Sequence, residues 1–101
     1  MINLTTRNFN AQVHNNPTPI LVDFWAEWCG PCQQLGLVLQ ELELQYPGVR
    51  FAKLNIDSHP GLAAQFSVSN IPCCVLMAGG REVDRVVGMY PRKIIKLLGG
   101  A

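Results

Sequence analysis

The stretch Ile20-Leu21-Val22-Asp23-Phe24-Trp25-Ala26-Glu27-Trp28-Cys29-Gly30-Pro31-Cys32 puts a strand-like run, a lone carboxylate and a cysteine pair in direct succession. Ile20 to Trp25 is almost wholly apolar and rich in strand formers, the pattern of a central strand covered on both faces. Asp23 interrupts it. A carboxylate inside such a strand costs on the order of several kcal/mol unless it is paired or protonated, so this one asks for a functional explanation. Cys29 and Cys32 stand two residues apart; thiols at that spacing can close into a small disulfide ring, reopen, and so carry two electrons. The same spacing is half of a zinc site.

Working outward, residues 33 to 46 read as a helix. Leu35, Val38, Leu39, Leu42 and Tyr46 fall on one face, with Leu37 and Leu44 singly exposed off that stripe. Pro47-Gly48 ends it. Residues 49 to 56 form the next strand, so strand, helix and strand make a parallel, right-handed βαβ unit. Upstream, residues 2 to 4 read as a short strand. Thr5 or Thr6 then caps a short helix that points Phe9 and Val13 inward, and Pro17 and Pro19 stop it. Downstream, Pro60 opens a short linking helix carrying Leu62, Ala63 and Phe66. Ile71-Pro72 leads into the apolar strand 73–77. Ala78-Gly79-Gly80 forms a hairpin turn, and 81–87 an edge strand with Val83 inward. Gly88 breaks that strand, residues 91–98 form a last helix packing Ile94, Ile95 and Leu98, and Gly99-Gly100 ends the chain. This order predicts an α/β fold built on a central mixed sheet with helices on both faces, in one domain over 1–101.

Composition narrows the function. The 101 residues are 49% hydrophobic, enough for one core without a structural metal or staples. Charged residues make up 15% and the net charge is +1, with the few aromatics not interleaved with Lys or Arg, which argues against a nucleic-acid binder. No run approaches a membrane span, and the first residues carry no secretory leader. Cys29, Cys32, Cys73 and Cys74 are clustered rather than spread as in a secreted disulfide framework, which points to catalytic thiols in a reducing, cytoplasmic compartment.

A cysteine at the start of a helix meets unpaired backbone amides and the positive end of the helix dipole, and both favour the thiolate. Cys29 is therefore the expected nucleophile. Cys32, one turn further in, is the expected resolving thiol, attacking Cys29 to release the reduced substrate. Gly30 allows close backbone approach and Pro31 stiffens the loop. A zinc reading would need two more ligands; His14 and His59 stand alone, as surface or capping residues do.

The run from Asp23 to Cys32 resembles the active-site signature of the thioredoxin family. Ala52-Lys53-Leu54-Asn55-Ile56-Asp57, Ile71-Pro72 and Val87-Gly88 also stand where a member of that family would have them, so the resemblance spans essentially the whole chain. It implies the thioredoxin fold: a three-layer α/β/α sandwich with a mixed five-stranded sheet and four helices. It implies a protein-disulfide reductase cycling between the Cys29–Cys32 disulfide and the dithiol. Asp23 matches the family's buried aspartate, which helps move the resolving thiol's proton, and Lys53 matches its neighbouring lysine. Pro72 matches the cis-proline that lies against the cysteines and presents backbone to an extended substrate. Trp28, Gly30, Pro31, Ile71, Pro72 and Gly88, with Met89 beside them, would form an apolar docking rim. The partners implied are oxidised proteins and a thioredoxin reductase drawing on NADPH or ferredoxin. No bound cofactor or metal is implied, and the expected state is a monomer.

The chain departs from the pattern at a few positions. Gln33 stands where the family commonly has a basic residue. Leu37 follows Gly36 where a kinking proline is frequent, which predicts a straighter helix or a mild bend at Gly36. Cys73-Cys74 follows Pro72 directly. Their side chains should diverge to opposite faces of the strand; both can be small buried hydrophobes, or Cys73 can be close enough for redox exchange or metal and cluster capture. Two other functions fit the same fold, a thiol oxidant or isomerase and a non-catalytic binding subunit. Gly30-Pro31 argues against the first, since such relatives usually carry a histidine in the second of those positions.

Overall fold

The computed structural model describes residues 1–99; Gly100, expected to close the chain, lies outside the described residues. The strands are β1 (Ile2–Asn3), β2 (Ile20–Trp25), β3 (Arg50–Asn55), β4 (Cys73–Ala78) and β5 (Arg81–Val87). They lie in the order β1-β3-β2-β4-β5, so the β2 run read first in the sequence is the middle of the sheet. β1, β3 and β2 are mutually parallel, whereas β4 runs antiparallel to both its neighbours, β2 and β5. The helices are an N-terminal π-type helix (Asn10–His14), α1 (Gly30–Gln45), α2 (Pro60–Gln65) and α3 (Pro91–Gly99).

Alternation along the strands divides the core into two layers. Ile20, Val22, Phe24, Ala52, Leu54, Cys73 and Val75 face the N-terminal helix (Phe9, Val13) and α2 (Leu62, Ala63). Leu21, Phe51, Cys74 and Leu76 face α1 (Leu35, Leu39, Leu42) and α3 (Ile94, Leu98). Helices on both sides of a mixed sheet make the expected three-layer sandwich. As expected too, Leu37 and Leu44 are exposed.

Several local readings are corrected. α1 starts at Gly30 rather than Gln33, because Pro31 suits a first turn, where no intrahelical amide is required. It runs unbroken past Gly36 and Leu37 to Gln45. The first helix closes with an i→i+5 bond from Asn15 N–H to Asn10 O (2.8 Å). The N-cap of that helix is Phe9, which makes no side-chain cap bond, rather than Thr5 or Thr6. Thr5 instead braces the preceding turn, its hydroxyl accepting from Arg7 N–H (3.2 Å) and its own N–H donating to Asn8 Oδ1 (2.8 Å). Val83 is 57% exposed, not inward: the register against β4 shifts between Leu76 and Met77, so strict alternation fails and Val86 takes the inward place. Ile95 is exposed as well, while Leu97, on a different side of α3, packs against the α1-side cluster. The hairpin turn is as read, with Gly79 and Gly80 both at positive φ (60° and 79°).

Candidate active site

Cys29 sits where β2 has ended and α1 begins. It is the N-cap of α1, extended at φ −93° and ψ 102°, and its Sγ accepts the Cys32 N–H at 3.2 Å. Sulfur thus fills the place a serine or aspartate oxygen takes at other helix starts. Cys29 and Cys32 are joined as a disulfide with Cα atoms 5.2 Å apart, and both are buried. Gln33, at the position of the absent basic residue, donates from its side chain to Glu27 O (2.8 Å) and ties the loop to the helix. Gly30 and Pro31 are exposed beside the pair.

Trp28 is 69% exposed, yet its indole N–H donates to Asp57 Oδ2 at 2.9 Å. Nothing in the sequence alone assigns Asp57 this role. Its backbone N–H and that of Ser58 are held in turn by Asn55 Oδ1. The only available signal was an Asn-x-Asp turn just after a strand.

The Ile71–Pro72 peptide is cis. Ile71 packs on the Ala26, Cys29 and Cys32 cluster, and Gly88 N–H donates to Pro72 O at 2.8 Å, so two segments distant in sequence meet beside the cysteines. Gly88 has φ +104°, and a β-carbon there would come within 2.6 Å of the Tyr90 ring. Pro72 itself is buried, and Ile71, Gly88 and Met89 are half-buried.

Asp23 is 3% exposed on the α1 side of β2. Burial, opposed by the charge of Lys53, raises its pKa from an ordinary 3.8 to about 7. Its Oδ1 is buried without a hydrogen-bond partner. Lys53 stands directly across the β2–β3 ladder, but its ammonium lies over the Trp25 indole, 5.2 Å from the ring centre, and acts on Asp23 through space. Asp23, Lys53, Trp25 and Cys32 line one cleft of about 360 Å³, floored by Gly36 and Leu37 of α1. Cys74 stands across the β2–β4 ladder from Asp23, and Cys73 across from Phe24 on the opposite face; both are free thiols and buried. Among the described residues no three His, Cys, Asp or Glu side chains converge as a metal site requires, and no helix is long and apolar enough to cross a membrane.

A cysteine pair that caps its own helix when closed, and leaves a thiol at that cap when opened, is the working part of a thiol–disulfide oxidoreductase. The sequence profile of the thioredoxin family matches residues 1–99. Thioredoxin 2 of Chlorobaculum tepidum is 45% identical over 92 residues, covering 90% of this chain and 84% of that protein. Thioredoxin of Chlamydia caviae is 44% identical over 96 residues, covering 94% and 92%. The solved structure of oxidised mitochondrial thioredoxin 3 from Saccharomyces cerevisiae superposes with a TM-score of 0.93 at 30% identity, covering all of this chain and 95% of that one. The chain belongs to the thioredoxin family, and its disulfide-forming cysteine pair serves thioredoxin-type reduction of protein disulfides.

Proposed function

We propose that Cys29 is the nucleophile, Cys32 the resolving thiol, and Asp23 the group that takes the Cys32 proton. In the dithiol form the Cys29 thiolate attacks a substrate disulfide, forming a mixed disulfide and releasing one substrate thiolate. Cys32 gives its proton to the Asp23 carboxylate and attacks Cys29 Sγ. The Cys29–Cys32 disulfide closes and the second substrate thiolate leaves, to be protonated from Asp23 or solvent. Two electrons pass from the dithiol to the substrate. The observation that carries this reading is that Cys29 caps α1 while Cys32 and Asp23 line one cleft. A carboxyl titrating near neutrality is matched to accept and return a proton at that pH. Lys53 tempers the burial of Asp23 from across the ladder.

Trp28, Gly30, Pro31, Ile71, Pro72 and Gly88 form the rim against which an extended substrate lies, and their apolar character supports a small, transient contact. A thioredoxin reductase, fed by NADPH or ferredoxin, returns the electrons, so residues 1–101 work as one domain with no resident cofactor. The clustering of the four cysteines, unlike the spread of a secreted disulfide framework, supports work in a reducing compartment, the cytoplasm. Insulin disulfide reduction coupled to NADPH through purified thioredoxin reductase tests the assignment. Cys29→Ser should lose all turnover, while Cys32→Ser should make one attack and accumulate the mixed disulfide. Turnover by Cys29→Ser, or a Cys32→Ser variant that traps nothing, overturns it.

A further inference from the structure

The reaction as drawn leaves Cys74 without a task, although it stands directly opposite Asp23 across the β2–β4 ladder. The register sets Asp23 opposite Lys53 on β3 and opposite Cys74 on β4. Residues directly opposite in a ladder share a face, with β-carbons about 4.5–5.5 Å apart. Asp23 is therefore flanked on the α1 side of the sheet by a cation on one edge and a thiol on the other. Cys74 is completely buried, and it packs in the apolar cluster of Leu21, Leu35, Leu39, Phe51 and Leu76. Beside it, Asp23 Oδ1 is buried with no hydrogen-bond partner. A thiol is a weak donor, unlike the hydroxyl or amide that ordinarily satisfies a buried carboxylate.

We propose that Cys74 is a positioning residue for the proton transfer of Asp23, sealing the sheet side of the carboxyl against water while giving its anion no strong hydrogen bond. The inference rests on the reading of Asp23 as proton acceptor and adds what sets its readiness. Three influences act on that carboxyl: burial favours the acid, a positive charge favours the anion, and a hydrogen bond to the anion would favour it further. The charged and titratable groups facing it are Lys53 from β3, Cys32 from α1 and Cys74 from β4. At the cleft mouth the Met1 amine is held 3.3 Å from Glu43. The remaining polar lining, Asn3, Gln33, Gln40 and the Trp25 indole N–H, is neutral. Cys74 does not ionise in the working range, since burial and then the Asp23 charge push its pKa well up. It acts by what it withholds. A residue of the same size carrying a hydroxyl would offer Oδ1 the missing donor and make the carboxylate too stable to be an effective base at neutral pH.

Valine and threonine have the same shape and differ by that hydroxyl. The test follows the Asp23 carboxyl by carbon-13 NMR in the oxidised protein, whose midpoint in the unmodified chain is expected near 7. Cys74→Thr should lower the midpoint by about one pH unit, and Cys74→Val should not lower it. Cys73→Thr, one residue away on the opposite face, should leave it in place. The pH profile of mixed-disulfide resolution in the reduced protein should move with the midpoint. If Cys74→Thr does not fold, Cys74→Ser carries the same comparison. An unmoved midpoint with either hydroxyl at position 74 overturns the proposal, as does an equal fall with valine. Asp23→Asn serves as the separate control. If the pH-dependent limb of resolution survives that change, Asp23 is not the proton acceptor, a failure distinct from any shift at position 74.

Discussion

Asp23 makes the stability of this protein depend on pH. In the folded protein burial raises its pKa to about 7, while in the unfolded chain it titrates near the ordinary 3.8. Between those values the native state holds a proton that the unfolded state has lost. Stability therefore falls as pH rises through this window and levels off above it, by about 4 kcal/mol for a shift of this size. In urea unfolding of the oxidised protein, Asp23→Asn should be more stable than the unmodified chain at pH 8, with the gap shrinking toward pH 4. A gap that is constant with pH would show that Asp23 is ionised in the folded state throughout. This residue was conspicuous in the sequence because five apolar neighbours in Ile20–Trp25 surround one charge. The cysteine pair was equally plain from spacing. Where the Lys53 ammonium goes, or that Asp57 holds Trp28, was not legible: each depends on side-chain directions set by segments tens of residues apart.

At the scale of elements, the strands were legible where apolar residues ran almost unbroken, as in Ile20–Trp25 and Cys73–Ala78. The reading failed where the period breaks. The register shift opposite Leu76 and Met77 turns Val83 outward, and no residue in Arg81–Val87 advertises it. The sequence does not show where α1 starts, because Pro31 suits a loop and the first turn of a helix equally well. The β4–β5 hairpin offers a sharper test of local chemistry. Gly79 and Gly80 both have positive φ, but only at Gly80 would a β-carbon meet backbone, the His14 carbonyl oxygen at 2.7 Å; at Gly79 nothing lies within 4 Å. Gly79→Ala should cost about 1 kcal/mol, the ordinary penalty of the left-handed region. Gly80→Ala should cost about 3 kcal/mol, because the clash is with backbone, which yields less readily than the end of a flexible side chain. Urea midpoints of the two variants decide it, and equal losses would mean that the His14 contact relaxes freely.

Across the whole molecule the sheet both separates and couples the two core layers. Each central strand sends alternate side chains to opposite sides, so Leu21 and Phe51 serve the α1–α3 layer while Ile20 and Leu54 serve the other. No direct packing joins Ile20 to Ile94, which are buried in different layers. Yet β2 cannot leave the sheet without opening both. Local damage should therefore add, while unfolding stays a single event. Ile20→Val and Ile94→Val each remove one buried methylene and should cost about 1 kcal/mol. The double variant should lose about 2 kcal/mol, in one transition whose urea dependence per molar is unchanged. That outcome also bears on the active site, because Asp23 lies on β2, the strand the two layers share, and lines the cleft on the α1 side. If instead the double variant unfolds in two steps, or its loss departs from the sum by more than about 0.5 kcal/mol, the layers are not joined through β2 in the way the register implies.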